Sequence, residues 1–170
     1  DGLTNGICLR VFDFKKRGAN DTFDAQPSSS GPMALADIDG NGTLDLYVCN
    51  YVRYDAGAAG PETATPMGEY QVPFTLNPNS FDPEPNRLYR NRGDGTFEDV
   101  ADRCGVANRD GRSLAATFCD LDGDGWLDLV VTQWGPKRVF LNDQGRGFRE
   151  ITAKAGLVGD EWSTSAAFLD

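Results

Sequence analysis

The feature that most restricts the fold of this 170-residue chain is an internal repeat. The stretch MALADIDGNGTLDLYVCNY (33–51) matches LAATFCDLDGDGWLDLVVTQW (114–134), and NRLYRNRGDGTFEDVADRCGV (86–106) matches KRVFLNDQGRGFREITAKAGL (137–157). A third copy begins at STSAAFLD (163–170). Each copy is therefore expected to be one structural unit that buries its apolar face against the next copy.

Apolar residues inside each copy recur with a period of two, which is typical of β-strands. Leu44, Leu46 and Val48 share one face in the first copy, as do their counterparts in LDLVVTQ of the second. RLYRN and RVFLN alternate in the same way, and each precedes a short strand that opens at Phe97 or Phe148. Each copy thus holds about four strands in about 50 residues, which is the size of a propeller blade. We expect an all-β fold made of blades of four antiparallel strands.

The two copies differ in length because the first carries an insertion. Asp37 and Asp120 are 83 positions apart, whereas Asp120 and Asp170 are 50 apart. The extra residues lie at 52–85, a stretch rich in Pro, Gly, Ala and Thr, for which we expect a surface excursion without regular structure.

The repeat divides the chain into four predicted segments. They are the end of a preceding blade or an N-terminal segment (1–32), a blade with the insertion (33–112), a second blade (113–162) and the start of a further blade (163–170). A closed ring needs at least about four blades, so we expect the chain to be part of a larger propeller.

Each copy also carries a loop crowded with carboxylates between two strands. In DIDGNGTLD (37–45) and DLDGDGWLD (120–128), acidic or amide side chains stand at positions 1, 3, 5 and 9, and glycine stands at position 6. Such like charges repel one another unless a hard cation with about six to eight oxygen ligands neutralises them, a requirement that calcium meets better than magnesium.

The predicted calcium ligands include the carbonyl oxygen at position 7 of each loop. They are Asp37, Asp39, Asn41, Thr43 and Asp45 in the first loop and Asp120, Asp122, Asp124, Trp126 and Asp128 in the second. A third site would begin at Asp170. Because Asn41 replaces a carboxylate, we expect the first site to bind calcium more weakly than the second.

Two other interpretations of the loops are less favoured. A solvated Asp/Gly turn explains one such string, but the full pattern is repeated here. An EF-hand needs glutamate at position 12 and flanking helices, whereas Val48 and Val131 occupy that position inside predicted strands.

Composition excludes several classes of function. The net charge of −10 argues against nucleic acid or an anionic membrane as a partner, because both select clustered Lys and Arg. The chain has no histidine, so His-based catalysis and His-ligated zinc or copper are excluded within it. The four cysteines, Cys8, Cys49, Cys104 and Cys119, lack C-x-x-C spacing, and buried thiols are favoured over disulfides without deciding the matter.

The alternation of loop and blade motifs, ADIDGNGTLDLYVCNY, NRLYRNRGDGTFEDVADRCGV and CDLDGDGWLDLVV, resembles the FG-GAP/VCBS repeats of integrin alpha-subunit propellers. It is most similar to the repeat region of ASPIC/UnbV-type proteins and covers residues 33–170. Asn41 stands where the family has aspartate, residues 1–32 match poorly, and no ASPIC segment is recognised. The resemblance implies a calcium-binding β-propeller, often seven-bladed, outside the cytoplasm.

That resemblance favours a non-catalytic module for recognition, adhesion or scaffolding, with a protein or carbohydrate as ligand and a secreted, periplasmic or cell-surface location. A propeller enzyme, carbohydrate-active or similar, is the alternative, with its catalytic residues in other blades or in the 52–85 insertion. A third hypothesis makes the chain a subunit that lends its surface to a larger assembly.

Overall fold

A computed structural model describes residues 28–53, 65–67, 69–72 and 81–168 of the chain. Its strands are β1 (Ser28–Ala36), β2 (Asp45–Arg53), β3 (Thr65–Met67), β4 (Tyr70–Val72), β5 (Arg87–Asn91), β6 (Phe97–Asp99), β7 (Arg112–Cys119), β8 (Asp128–Trp134), β9 (Arg138–Asn142) and β10 (Phe148–Glu150). Within these described ranges there is no helix, and hence none long and apolar enough to cross a membrane. Cys8, Asp170 and residues 1–27 lie outside the described residues.

The strands form two antiparallel sheets of four strands each, which confirms the predicted all-β blades. The first sheet has the order β1-β2-β5-β6 and the second has the order β7-β8-β9-β10. Each repeat therefore builds one sheet, called here the first and the second blade. β7 packs across β1 and β2, so the two blades lie face to face.

The insertion contains more regular structure than the sequence predicted. β3 and β4 pair as an antiparallel ribbon, and β2 continues through Arg53. The Arg53 N–H donates to the Asp82 carbonyl at 2.8 Å, and Val52 bridges to Pro83. Both ends of the insertion are thus held to the first blade by backbone pairing between residues 52–53 and residues 82–83. The loop-like composition of the insertion did not predict this pairing.

The core lies between the blades because β2 and β8 are buried on both faces. Tyr47 and Cys49 belong to one apolar cluster with Leu129 and Val131 of the facing sheet, and all four side chains are fully buried. Leu46, on the opposite face of β2, is also buried. The sequence predicted one buried face for each of these strands. The second face is buried as well, because the sheet is covered on both sides.

A buried polar network fixes the register of the two blades. Asn86 is fully buried, and its side-chain amide donates to the Tyr47 hydroxyl at 2.7 Å and to Ser113 Oγ of the second blade at 2.8 Å. The Tyr47 hydroxyl donates to the Val106 carbonyl at 2.8 Å, and the Asn50 N–H donates to Asn86 Oδ1 at 2.8 Å. A satisfied network of this kind permits one alignment, because any slip leaves buried polar atoms without partners.

The described cysteines are free thiols, and two of them are part of the inter-blade core. Cys49 and Cys104 are buried, whereas Cys119 is partly exposed. Burial raises the pKa of the Cys49 thiol to about 12, and burial also raises the pKa of the other two thiols. The thiolate, which is the reactive form, is therefore scarce at neutral pH.

We predict that Cys49 and Cys104 resist alkylation in the native protein at pH 8 and react fully in denaturant. Cys119 should react first, because its side chain is the most accessible of the three. Peptide mapping after timed iodoacetamide treatment measures each site separately. Rapid native labelling of Cys49, or its recovery in a disulfide, would contradict the buried-thiol assignment.

Candidate metal-binding loops

The two acidic loops occupy equivalent places, each connecting the first two strands of a blade. The first loop joins β1 to β2 and the second joins β7 to β8. Gly42 and Gly125, the predicted position-6 glycines, have φ of +82° and +88°. This left-handed conformation strains any residue with a Cβ atom, so the tight curl of each loop depends on glycine there.

The carboxylate at position 1 of each loop accepts backbone N–H groups from later residues of the same loop. Asp37 accepts the N–H of Asn41 at 3.1 Å and that of Gly42 at 2.8 Å. Asp120 accepts the N–H of Gly123 at 2.8 Å and that of Gly125 at 2.9 Å. Loop N–H groups thus turn inward onto this side chain.

The carboxylate at position 9 has a structural role that the sequence did not reveal. Asp45 is 1% exposed, and its two oxygens accept the N–H groups of Ile38 at 3.0 Å and Asn91 at 2.8 Å. Asp128 is equally buried and accepts the N–H groups of Leu121 and Asn142, both at 2.8 Å. Each of these aspartates therefore ties the start of its loop to the third strand of its blade.

Burial raises the pKa of both position-9 carboxyl groups. Their two backbone hydrogen bonds oppose that effect, and the neighbouring loop carboxylates, such as Asp39 near Asp45 and Asp122 near Asp128, add to it. Desolvation and like-charge repulsion therefore both disfavour the ionised form of these carboxyl groups, and the backbone hydrogen bonds favour it.

The structure brings three of the predicted carboxylates of each loop close together. Oxygens of Asp37, Asp39 and Asp45 lie within 4.8 Å of one another in the first loop. Oxygens of Asp120, Asp122 and Asp124 do the same in the second loop, and this set does not include Asp128. The carbonyl oxygens of Thr43 and Trp126 stay predicted ligands.

The donor set of the first loop fits a hard cation. Asp39 Oδ1 is buried without a hydrogen-bond partner, an unfavourable state that a cation at this oxygen would relieve. Asn41 is the weakest member, because its Oδ1 already accepts from the Thr43 N–H at 2.7 Å and the Thr43 hydroxyl at 2.5 Å. In the second loop Asp124 Oδ1 accepts the Trp126 N–H at 2.9 Å, and the carboxylate has a second oxygen to offer.

The surroundings of the loops differ, because only the first loop is covered by a described blade. Ile38 of the first loop is 1% exposed, and its carbonyl accepts the side-chain N–H of Asn142 from the second blade at 2.9 Å. The equivalent Leu121 of the second loop is 38% exposed. The indole of Trp126 lies against Gly40, so this side chain contributes packing between the two loops.

The FG-GAP-like repeat family model matches residues 74–131 and 120–170. The chain belongs to the FG-GAP-like repeat family. That match confirms the resemblance inferred from the loop and blade motifs, and it identifies the two sheets as propeller blades.

The chain is also similar to cartilage acidic protein 1 of three vertebrates. It is 31% identical to the Homo sapiens protein and 29% identical to the Mus musculus protein over 134 residues, which is 76% of this chain and 19% of each relative. It is 41% identical to the Xenopus tropicalis protein over 143 residues, which is 73% of this chain and 21% of that relative. The chain thus spans about a fifth of the length of these relatives.

Replacing Gly145 by alanine tests the contact between the second blade and the first loop. Gly145 has φ of +76°, and a Cβ atom there would lie 2.8 Å from Asp39 Cα. Gly156 is a matched control, with φ of +74° and open space around the same position. We expect Gly156→Ala to lower the free energy of unfolding by about 1–2 kcal/mol and Gly145→Ala by roughly 1–3 kcal/mol more. Urea denaturation measures both free energies. Equal losses would mean that the first loop does not pack closely against the turn that contains Gly145.

Replacing Asp128 by alanine tests the structural role of position 9. We expect a loss of about 2–4 kcal/mol in the free energy of unfolding even in chelator, because two N–H groups lose their acceptor. Asp122→Ala removes the same charge from an exposed carboxylate and should change stability by less than about 1 kcal/mol in chelator. Similar losses in the two variants would contradict a special role for Asp128.

Proposed function

We propose that this chain is a calcium-binding β-propeller repeat module that acts outside the cytoplasm in recognition, adhesion or scaffolding, without catalysis of its own. The observation that carries the proposal is the recurrence of a carboxylate cluster, with oxygens within 4.8 Å, at the same point of both blades. A recurring cluster of this kind favours a divalent cation over a solvated turn, because solvation alone gives no reason to bring the charges together twice.

The ion would be held by the side chains of each loop and by the position-7 carbonyl oxygens. It would supply positive charge that offsets carboxylate repulsion and stabilises the bend between two strands. The chain's own residues already curl both loops, through Asp37 and Asp120, and anchor them, through Asp45 and Asp128. The proposed role of the metal is therefore structural.

Exposed apolar side chains support membership of a larger ring. The first blade has Met33 and Leu35 at 52% and 45% exposure on its side away from the second blade. The second blade exposes Leu157 and Val158, whose counterparts Val106 and Ala107 in the first blade are buried by the second. Further blades covering these two faces would bury them in the same way, and the family resemblance suggests seven in all.

The division into a blade at 33–112, a blade at 113–162 and the start of another at 163 is part of this proposal. The segment after the second blade runs over β7 and β8, since the Thr117 hydroxyl donates to the Ala166 carbonyl at 3.0 Å and the Ser163 N–H donates to the Gln133 carbonyl at 3.2 Å. β7 crosses β1 and β2 in the corresponding way. These contacts support the proposal that the segment is the first strand of a next blade.

The proposed location and partners rest on composition and on the relatives. An acidic chain with net charge −10 repels nucleic acid and anionic lipid, and its relatives carry the name of a cartilage protein. We propose a secreted, periplasmic or cell-surface location and a protein or carbohydrate ligand. The enzyme alternative gains no support from Glu84 of the insertion, because that carboxylate is paired with Arg53 Nε at 3.0 Å.

Calcium titration of the chelator-treated protein tests the proposal. We expect two binding events by calorimetry and a rise in Tm of roughly 5–10 °C when calcium is at about a hundred times its Kd. Magnesium at the same concentration should have a smaller effect, because it prefers waters and strict octahedral geometry.

Asp124→Asn gives the second loop the ligand set of the first. We expect it to weaken the tighter binding event and leave the weaker event in place. An absence of calcium heat together with an unchanged Tm would contradict the proposed function. Unchanged affinity in Asp124→Asn would remove Asp124 from the ligand set.

A further inference from the structure

We infer that Arg90 is a resident cation of the first loop, one that holds Asp39 in place at the blade interface and competes with a divalent ion for its negative charge. The stability of the first loop would then depend less on calcium than the stability of the second loop. The part of this inference that concerns calcium affinity rests on the proposed function, and the part that concerns stability in chelator does not.

The guanidinium of Arg90 contacts the first loop and the second blade. Its Nε lies 3.1 Å from Asp39 Oδ2 of the first loop, and its Nη2 donates to the Gly145 carbonyl of the second blade at 3.0 Å. The side chains of Arg90 and Asp39 are 25% and 16% exposed. An ion pair this sheltered is screened less by water and salt than one on the open surface.

The Arg90 pair leaves room for a second positive charge. The Arg90 Nε–H is not aligned on the carboxylate, so the contact is a charge–charge attraction rather than a hydrogen bond. Asp39 Oδ1 is still buried without a partner. The same carboxylate can thus face the guanidinium on one oxygen and a divalent ion on the other, and the two cations would repel each other.

Arg90 is a difference between the two repeats. The position equivalent to Arg90 in RVFLN is Leu141. Among the residues that the structure describes, no Lys or Arg side chain pairs with Asp120, Asp122 or Asp124. The first loop has three carboxylates offset by one guanidinium, whereas the second has four with no such offset, so a divalent ion gains less at the first loop.

The first loop lies against the second blade, so the charge of Arg90 also affects the packing of the two blades. Asn142 of the second blade donates to the Ile38 carbonyl, and Gly145 lies against the Asp39 backbone. Losing the charge of Arg90 would leave Asp39 repelled by Asp37 and Asp45 in a site pressed against the neighbouring blade. The first loop and the packing of the blades would then weaken together when no divalent ion is bound.

Arg90→Gln tests the inference, because glutamine keeps an N–H donor and removes the charge. The variant is made alone and together with Asp122→Asn and Asp124→Asn, which disable the second loop. We expect the Tm in chelator to fall more than the Tm in calcium, and the first-loop Kd for calcium to decrease roughly five- to thirtyfold. Thermal melts and calcium titration give the two measurements.

Arg87→Gln is the matched control, because Arg87 lies on the same strand as Arg90 but does not contact the loop. Its Nη1 lies 3.0 Å from Asp99 Oδ2. It should lower the Tm equally in chelator and calcium and leave calcium affinity unchanged. Arg90→Lys keeps the charge and should retain wild-type calcium affinity within about threefold.

Equal Tm losses for Arg90→Gln in chelator and calcium would overturn the inference, as would weaker calcium binding in that variant. If Arg90→Gln does not fold in chelator, Arg90→Lys decides: a folded lysine variant supports a resident cation, and an unfolded one overturns it. If the wild-type protein binds no calcium, the proposed function fails, and a larger Tm loss for Arg90→Gln than for Arg87→Gln in chelator still supports the resident cation.

Discussion

Each blade depends on one buried aspartate that accepts two backbone N–H groups. Asp45 and Asp128 satisfy the start of the acidic loop with one oxygen and the third strand with the other. Charge-assisted hydrogen bonds of this type are strong, and the alternative would be two buried donors without acceptors. The loop therefore cannot leave the blade without opening the sheet, which explains why a crowded cluster of like charge stays at a sharp bend.

The apolar core and the loops constrain each other because they meet at the same interface. Ile38 follows the first acidic residue of its loop and is buried in the cluster that contains Leu129 and Phe140 of the facing blade. The loop conformation places Ile38 there, and the facing blade covers the loop. A cation that stiffens the loop would thus also stabilise the packing of sheet on sheet, which is the coupling expected where metal ligands form only in the folded chain.

Sequence patterns predict the parts of this structure that repeat. A period of two predicted the strands, and the repeat length predicted four strands per sheet. The acidic residues at loop positions 1, 3 and 9 predicted the cluster of Asp37, Asp39 and Asp45. Period alone could not show that β2 is buried on both faces, because that depends on which sheets stack on it. The β3–β4 ribbon and the Arg90–Asp39 pair were also missed. Loop-like composition hides the ribbon, and the ion pair joins a loop residue to a strand residue that is distant in the sequence.

The properties that distinguish the two blades come from residues that do not repeat. Tyr47 and Asn86 build a buried polar network in the first blade, whereas the equivalent positions hold Val130 and Lys137 in the second. Arg90 offsets charge beside the first loop, whereas Leu141 cannot. These differences restrict which blade can lie beside which. The buried network of the first blade needs Ser113 as a partner, and an apolar face in that place would leave its polar atoms without one. The repeat therefore specifies the blade, and the deviations from it specify which blade lies beside which.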